Sequence, residues 1–190
     1  GSFTPTEVGS VTHVSNEGFA FSTSYLNTGY IPSSDAVNLT QNNGGAFIQI
    51  NNSLAANSGR HSFGCLGNAA NAANGRLQLI PRGVGDFHLF ALNTGSTAKG
   101  TGVTTDGFFQ MRTVSGNDGR IFKNGSQVGT AAAVATTTLS DFEVLIGAIN
   151  NNGVAQGQST FEIAFFGLGA ALAGQESALY TAWNTYFTSL

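Results

Sequence analysis

The 190-residue sequence predicts an all-β fold in which two antiparallel sheets pack together and one short helix closes the C-terminus. Candidate strands recur about every 10 residues between Gly- and Asn-containing turns, which is typical of a sandwich or barrel. Apolar and polar residues alternate within the strands, so each sheet has one dry face and needs a second sheet against it. Only the last segment follows the helical spacing i, i+3, i+4, i+7.

The candidate strands follow one another along the chain. Near the N-terminus, the alternating residues are Phe19, Phe21, Thr23 and Tyr25. Later candidates are residues 46–50, 61–67, 76–80, 86–92, 107–114, 141–148 and 159–166. Two stretches with few apolar residues, 32–45 and 94–106, are predicted to be loops, and long loops on a rigid scaffold are a usual place for binding.

Two turns stand out in the second half of the chain. Asn124-Gly125 supplies the positive φ values of a type I′ turn, so residues 119–129 are predicted to form a hairpin. Residues 150–153, with the sequence NNNG, predict a second turn.

Alternation also assigns side chains to the two faces of a strand. In one strand, Asp141 and Glu143 fall opposite an apolar face formed by Phe142, Val144, Ile146 and Ala148. In the next, Glu162 falls opposite an apolar face formed by Phe161, Ile163 and Phe165.

The C-terminal segment predicts one amphipathic helix over about residues 174–189. Its apolar face carries Trp183, the single Trp of the chain. We expect this side chain to be buried against a sheet edge or rim. Ala173 stands where a capping residue is common, so the N-terminal capping box is half missing.

Composition excludes several classes of function. Charged residues make up 9% of the chain, against about 25% in an ordinary domain. The net charge is −3, so there is no basic footprint for nucleic acid or anionic lipid. No apolar run reaches the roughly 18 residues of a membrane span. Residues 1–2 resemble a tag remnant, and residues 3–190 are predicted to form a single domain.

Three segments of the second half resemble a known family. Residues 120–128 (RIFKNGSQV) resemble a hairpin common in laminin-G-like domains, and residues 142–150 (FEVLIGAIN) resemble the strand that follows it. Residues 161–172 (FEIAFFGLGAAL) resemble the strand before the closing helix. The chain therefore resembles the concanavalin A-like lectin/laminin-G family. This implies a two-sheet antiparallel jelly-roll sandwich that binds sugars or surfaces more often than it performs chemistry.

Two further segments resemble a narrower group. Residues 25–43 and the ending 182–190 are similar to lectin-like domains of tailed-phage and prophage virion proteins. The resemblance implies a virion or extracellular location. The implied partners are a carbohydrate or virion protein subunits, and a homo-oligomer is one form of such an assembly.

Glycoside hydrolysis is the enzyme activity to test, because some relatives of this fold are glucanases. It needs two carboxylates about 5–5.5 Å or about 6.5–9.5 Å apart, and the glucanase strand carries Glu-x-Asp-x-x-Glu. Glu143 is followed two residues on by Leu145, and Glu162 is followed by Ala164. Neither completes the motif, so no enzyme is expected, although two acids from distant strands stay an open alternative.

No metal or other cofactor is expected. His13, His61 and His88 are scattered, and His61 with Cys65 does not complete a zinc site. Cys65, the single Cys, is expected to be a small buried thiol.

Calcium stays the alternative, because relatives often hold it through loop Asp and Asn residues. The loop acids here are Asp35, Asp106 and Asp118, and turn formation explains them without a metal.

Sugar binding needs planar polar groups and an aromatic platform. The candidate residues in the first loop are Tyr30, Asn38, Gln41, Asn42 and Asn43. In the second loop they are Asn150, Asn151, Asn152 and Gln156. Turn formation by Asn is the alternative explanation for each of them.

Three functional hypotheses follow. The first is a non-catalytic lectin-like module that binds a carbohydrate or a neighbouring structural protein of a virion or extracellular assembly. The second is a structural, decoration or oligomerisation domain of a phage particle, whose exposed sheet would cover a partner through Phe90, Leu92, Phe108 and Phe166. A glycoside hydrolase ranks third.

Overall fold

The computed structural model describes residues 4–15, 17–56, 59–67, 75–92, 97–102, 104–115, 118–131 and 138–189, without the side chains of residues 92 and 97–101. Its helices are α1 (Pro32–Asp35) and α2 (Glu176–Phe187). Its strands are β1 (Thr6–Val8), β2 (Thr12–Val14), β3 (Gly18–Ala20), β4 (Tyr25–Asn27), β5 (Asn43–Ile50), β6 (Phe63–Leu66), β7 (Leu77–Gly83), β8 (Phe87–Leu92), β9 (Thr97–Thr101), β10 (Gly107–Val114), β11 (Gly119–Lys123), β12 (Ser126–Gln127), β13 (Leu145–Ile146), β14 (Ile149–Asn151), β15 (Val154–Gln156) and β16 (Glu162–Gly169).

These strands form two sheets. The first sheet has the order β1-β4-β13-β6-β7-β8-β9, with β14 and β15 attached through β6. The second sheet has the order β12-β11-β10-β5-β16-β3-β2. Neighbouring strands run antiparallel, except that β14 runs parallel to β6. The predicted fold class, an all-β two-sheet sandwich with one short C-terminal helix, is confirmed.

The core lies between the two sheets. From the second sheet it receives Ile48, Ile50, Phe109, Met111 and Ile121, and from the first Phe63, Leu77, Leu79 and Phe90. Full burial of a side chain of this size contributes about 1.5–3 kcal/mol. Cys65 is part of the same core, as predicted. Burial raises the pKa of its thiol to about 12, although a hydrogen bond with Ser140 opposes the shift.

A register shift in β16 reverses which of its residues face the core, so that Phe165 lies on the outer face of the second sheet and Phe166 on the inner face. Against β5, the pairing slips between Ile163 and Phe165, and we call this shift the Ala164 bulge. Phe161 and Ile163 lie in the core, as predicted. Phe165 was wrongly assigned to the core, because after the bulge it lies on the outer face and remains 40% exposed.

The residue that takes the inward position is Phe166. Its ring centroid lies 4.8 Å from that of Phe63, across the sandwich. Phe90 is also part of the core. Phe90 and Phe166 were therefore wrongly assigned to an outward face. Phe108 does lie on the outer face, whereas the side chain of Leu92 lies outside the described part of the structure. The apolar face predicted to cover a partner is therefore smaller than expected.

Helix α2 covers part of this outer face. The Arg112 Nε atom lies 2.5 Å from Glu176 Oε1 at the start of α2, and both side chains are only 12% exposed. Further along, the Trp183 indole N–H donates to Gln49 Oε1 at 3.1 Å. Trp183 is half-buried against the face of the sheet rather than at its edge. Neither helix of the described residues is long and apolar enough to cross a membrane.

The two predicted turns are confirmed. Asn124 and Gly125 have φ values of 51° and 77° between β11 and β12. Asn152 and Gly153 have φ values of 53° and 89° between β14 and β15. Both pairs adopt the positive φ values that a two-residue hairpin turn requires.

The segment 141–148 differs from its prediction as a half-buried strand. Only Leu145–Ile146 forms a strand, and Val144, Leu145 and Ile146 are all buried. Alternation fails here because Val144 is bonded through its backbone to Thr28 and Tyr30, and Gly147, at φ 84°, turns the chain towards β14. Both faces of the segment are therefore covered by protein.

The two predicted loops also contain regular structure. In residues 32–45, Pro32 begins the single turn α1, and the Asp35 carboxylate accepts a hydrogen bond from the Ile31 N–H at 2.7 Å. Strand β5 begins already at Asn43. In residues 94–106, the described part contains β9, whereas residues 94–96 and 103 lie outside the described residues.

His61 is a mostly buried imidazole at the start of β6. Burial lowers its pKa to about 4, and the positive charge of Arg76 acts in the same direction, whereas hydrogen bonds with Gly59 and Gln78 oppose the shift. The ring is also close to Gly157, where a Cβ would overlap Nδ1. The folded protein therefore holds His61 in its neutral form.

We predict that Gly18→Ala destabilises the protein by about 2 kcal/mol or more. Gly18 has a φ of +99°, and an added Cβ would overlap the carbonyl oxygen of Ile163 and the Cα of Ala164 at the bulge. Urea unfolding measures the change. Gly169→Ala is the matched control, since a Cβ there meets no atom within 4 Å. Equal stability of the two variants would contradict the prediction.

We predict that His61→Gln reduces the acid sensitivity of the fold. An unfolded His has a pKa of about 6.5, and the folded pKa is about 4. The contribution of neutral His61 to the free energy of unfolding is therefore fully present above about pH 6.5. It is lost as the pH falls from about 6.5 to 4, by at most about 3 kcal/mol.

Urea unfolding of both proteins at pH 7 and pH 4.5 provides the test for His61. The difference between wild type and His61→Gln isolates this residue, because His88 and the carboxylates remain in both proteins. Parallel pH profiles would show that His61 does not contribute.

Candidate functional site

Three residues of the first predicted loop meet at one cavity. Tyr30, Asp35 and Asn38 line a space of about 430 Å³ together with Phe166 and Leu168. Burial raises the pKa of the Tyr30 hydroxyl, and the negative charge of Asp35 adds to the shift. We call this space the Tyr30 cavity.

The other residues of the first loop support β5 and its surroundings. Asn43 Oδ1 accepts a hydrogen bond from the Ala171 N–H at 3.0 Å. The Asn42 carbonyl accepts one from the Ser115 N–H at 2.8 Å. Neither residue lines the Tyr30 cavity. The structure thus separates Asn42 and Asn43 from Tyr30 and Asn38.

The sugar-binding candidates of residues 150–156 lie in the β14–β15 hairpin and bind one another. Asn150 is only 5% exposed. Its Nδ2 donates to Glu143 at 3.3 Å, and its Oδ1 accepts from the Gly153 N–H at 2.9 Å. Asn151 donates to Gln156 at 3.0 Å, and Asn152 occupies the turn. These amides serve the hairpin, and none of them lines the Tyr30 cavity.

The three acids considered for calcium lie in separate places. The Asp35 carboxylate accepts from Ile31 and Ser34. Asp118 pairs with Arg112 and Arg120, whereas Asp106 lies near Lys123. Within the described part of the chain, no three His, Cys, Asp or Glu residues are grouped as metal ligands would be.

A different site, a polar groove beside Trp183, was not predicted. It encloses about 540 Å³ between α2 and the ends of β5, β10 and β16. Its polar lining includes Glu17, Gln49, Asn51, Asp106 and Glu162. Its aromatic lining comes from Tyr180, Trp183 and Phe187. We call it the Trp183 groove.

The floor of the Trp183 groove is held by a chain of hydrogen bonds. Trp183 Nε1 donates to Gln49 Oε1 at 3.1 Å, and Gln49 Nε2 donates to Asn51 Oδ1 at 3.1 Å. Asn51 Nδ2 then donates to the Glu17 carbonyl at 2.9 Å. Since Gln49 and Asn51 share one face of the β5 end, this chain fixes the orientation of two planar amides before any ligand arrives.

Two carboxylates in the groove have no partner among the described residues. Neither Glu17 nor Glu162 has a hydrogen bond or ion pair through its carboxylate within that part of the chain. An ionised carboxylate accepts hydrogen bonds at about four lone-pair positions. These two groups are therefore available to bind hydroxyl or amino groups.

Lys123 and His88 do not line the groove, and each is bonded within the protein. Lys123 Nζ donates to the Thr104 carbonyl at 3.2 Å and to its hydroxyl at 2.6 Å. Burial lowers the pKa of Lys123, and Asp106 opposes the shift. Burial also lowers the pKa of His88, whose ring is bonded to the Pro81 carbonyl. The groove therefore presents acids and amides to solvent, which disfavours anionic ligands.

The aromatic wall of the groove is a stack of rings. Trp183 lies 4.6 Å from Phe165 at an interplanar angle of 18°, and 5.8 Å from Phe108 at 17°. Phe187 stacks on it at 5.5 Å. A fixed aromatic surface beside oriented amides and free carboxylates is suited to a polar ligand with an apolar face, such as a sugar ring.

The two glutamates considered for glycoside hydrolysis do not share this groove. Glu162 lines it, whereas Glu143 contacts Asn150 of the β14–β15 hairpin. Alternation could assign Glu162 to an outward face, and helical spacing could assign Trp183 to the apolar face of the helix.

The groove itself could not be predicted from the sequence, because Glu17, Asp106, Glu162 and Trp183 lie on distant segments of the chain.

Comparison with known proteins shows the fold alone. No protein-family model and no curated protein sequence matches the chain. Among solved structures, it is similar to domain 4 of AbnA, an extracellular GH43 arabinanase from Geobacillus stearothermophilus, in complex with arabinotriose. The TM-score is 0.60 at 11% identity, over 91% of this chain and 82% of that one.

Two other solved structures are similar over much of the chain. The binding domain of botulinum neurotoxin serotype D gives a TM-score of 0.61 at 12% identity, covering 95% of this chain but only 47% of the toxin domain. A heptameric SAP-like pentraxin from Limulus polyphemus gives 0.51 at 12% identity, covering 76% of this chain and 72% of that one. The shared feature is the β-sandwich predicted from the sequence.

We predict that Phe165→Ala shifts the fluorescence emission of Trp183 to longer wavelength. It also lowers stability by about 1–2 kcal/mol, because a stacked ring is removed. The emission spectrum is specific, since Trp183 is the single Trp. Phe87→Ala is the matched control, because Phe87 is also 40% exposed. An unchanged spectrum in Phe165→Ala would contradict the stacking geometry.

Proposed function

We propose that the protein is a non-catalytic carbohydrate-binding module and that the glycan lies in the Trp183 groove. The observation that carries the proposal is the combination of unpaired Glu17 and Glu162 with the oriented amides of Gln49 and Asn51 beside Trp183. Carboxylates and amides bind sugar hydroxyls, and the ring covers an apolar sugar face.

The charge of the groove favours neutral or amino sugars over acidic ones. Its lining includes three acids, Glu17, Asp106 and Glu162, and no Lys or Arg. Lys123, which lies near Asp106, is already bonded to Thr104. A uronate or sialic acid would therefore meet like charge without a compensating cation.

The comparisons support a binding role. The solved structure of the arabinanase domain contains arabinotriose, and the toxin structure is a binding domain. A likeness of fold at this identity is an analogy for function. Glu143 lies outside the groove, so Glu143 and Glu162 do not form the two carboxylates that hydrolysis needs at one scissile bond.

The Tyr30 cavity is the second proposed contact surface for a carbohydrate. Tyr30 and Asn38 were predicted from the sequence as sugar-binding residues, and they line it together. Its lining also contains Phe166 and Leu168, so its walls are more apolar than those of the Trp183 groove.

We also propose that the module works in an extracellular or virion assembly. Segments 25–43 and 182–190 support this through their resemblance to virion proteins, and the similar arabinanase is extracellular. A purely structural or oligomerisation role is the alternative. Light scattering that found only monomers across a wide concentration range would argue against a homo-oligomer.

We predict that the module binds neutral oligosaccharides with a Kd of about 0.1–1 mM, or about −5.5 to −4 kcal/mol. Isothermal titration with arabino-, xylo-, cello- and chito-oligosaccharides measures it. Glu162→Ala should weaken binding at least about tenfold, because a hydrogen bond to a charged group contributes about 1.5–3 kcal/mol.

Two variants locate the carbohydrate site. Glu143→Gln is the matched control for Glu162→Ala, since it keeps an acceptor for Asn150 outside the groove. Asn38→Ala tests the Tyr30 cavity. Binding lost in Asn38→Ala but kept in Glu162→Ala would move the site to the Tyr30 cavity. Failure of every oligosaccharide to bind would overturn the proposed function.

A further inference from the structure

A second hollow lies on the other side of Trp183, between α2 and the outer face of the second sheet. It encloses about 570 Å³. Its lining is mostly apolar, with one Tyr, and its larger residues are Phe47, Phe108, Phe165, Leu179, Trp183, Tyr186 and Phe187. We call it the helix hollow. A space of this size falls within the usual range of small-molecule sites, about 300–1,000 Å³.

The hollow exists because α2 rests on a few rings and does not pack closely along its length. No residue of α2 is buried. Three small residues also line it, namely Gly18 and Ala164 from the sheet and Ala182 from the helix. Solvent reaches the rings around it, since Phe165 is 40% and Tyr186 58% exposed. Apolar surface left wet in this way gains free energy when an apolar group covers it.

The helix hollow adjoins the Trp183 groove, and two rings lie between the two spaces. Trp183 and Phe187 line both spaces. On one side of them lie the carboxylates of Glu17 and Glu162, and on the other the rings of Phe47 and Phe108. One ligand could therefore place a polar part and an apolar part on the two sides of the same wall.

We propose that the ligand of this protein is amphipathic: a glycan that carries an alkyl, acyl or aryl substituent. The sugar occupies the Trp183 groove, and the apolar substituent occupies the helix hollow. The inference rests on the proposed carbohydrate function for its polar half. The hollow supplies the apolar half, which a purely polar glycan would leave uncovered.

The size of the effect follows from the burial of methylene groups. Each buried CH₂ contributes about 0.8 kcal/mol, which corresponds to about fourfold in affinity per methylene. Because the hollow is partly open, a hexyl glycoside should bind at least about tenfold more tightly than the methyl glycoside of the same sugar.

The experiment uses the whole chain and pairs of methyl and hexyl glycosides of L-arabinofuranose, D-glucopyranose and N-acetyl-D-glucosamine. Isothermal titration gives the affinities, and the emission of Trp183 reports contact with the shared wall. Ala182→Leu fills the hollow and should abolish the hexyl advantage without changing binding of the methyl glycoside. Ala178→Leu is the matched control, because Ala178 lies on the same helix outside both linings.

Each outcome separates this inference from the proposed function. A hexyl advantage that Ala182→Leu removes and Ala178→Leu keeps supports the amphipathic ligand. Equal binding of the methyl and hexyl members, no binding of any hexyl glycoside, or an advantage that survives in Ala182→Leu overturns it. Binding of hexyl glycosides without binding of any methyl glycoside or oligosaccharide would reject the carbohydrate function, and the amphipathic glycan with it. The helix hollow would then be a site for apolar ligands. Ala182→Val is the smaller substitution to use where Ala182→Leu does not fold.

Discussion

The Ala164 bulge decides which residues of β16 enter the sandwich core and which lie on the outer face beneath α2. Before the bulge, Ile163 enters the sandwich core, and after it Phe166 does so in turn. Phe165 between them is released to the outer face, where it meets Trp183. A regular strand would have placed Phe165 inside and left α2 without its central contact.

The same constraint explains why the candidate site lies beside α2. A helix that docks through stacked rings, one ion pair and one indole hydrogen bond covers the sheet incompletely. The uncovered parts become the Trp183 groove and the helix hollow. The groove is polar because the strand ends present Asn51 and Glu162 there, and the hollow is apolar because the strand centres present Phe47 and Phe108.

Local chemistry made much of the fold predictable from the sequence. The hairpin at Asn124-Gly125 depends only on positive φ at two adjacent residues, and α2 on its own periodicity. The bulge was not predictable, because a register shift is decided by the partner strand β5 and not by the sequence around Ala164. The prediction of a half-buried strand at 141–148 was wrong for a similar reason, since distant segments cover both faces of this part of the chain.

The candidate site was harder to predict than the fold. The amides of residues 150–152 suggested a binding site, but the Asn150 side chain already forms hydrogen bonds with Glu143 and with the Gly153 N–H. The first loop was a better guide, since Tyr30 and Asn38 do meet at a cavity. The Trp183 groove draws residues from distant segments of the chain, so no sequence window contains it.

The strands at the margins of the sheets have a separate consequence for how the protein behaves in concentrated solution. With a net charge of only −3, repulsion between copies is weak. The second sheet ends in β12 and β2, of two and three residues, and the first sheet ends in β1, of three residues, and β9, of five. The three short edge strands offer few open backbone donors and acceptors, so three of the four sheet margins hinder intermolecular strand addition in a molecule of low net charge.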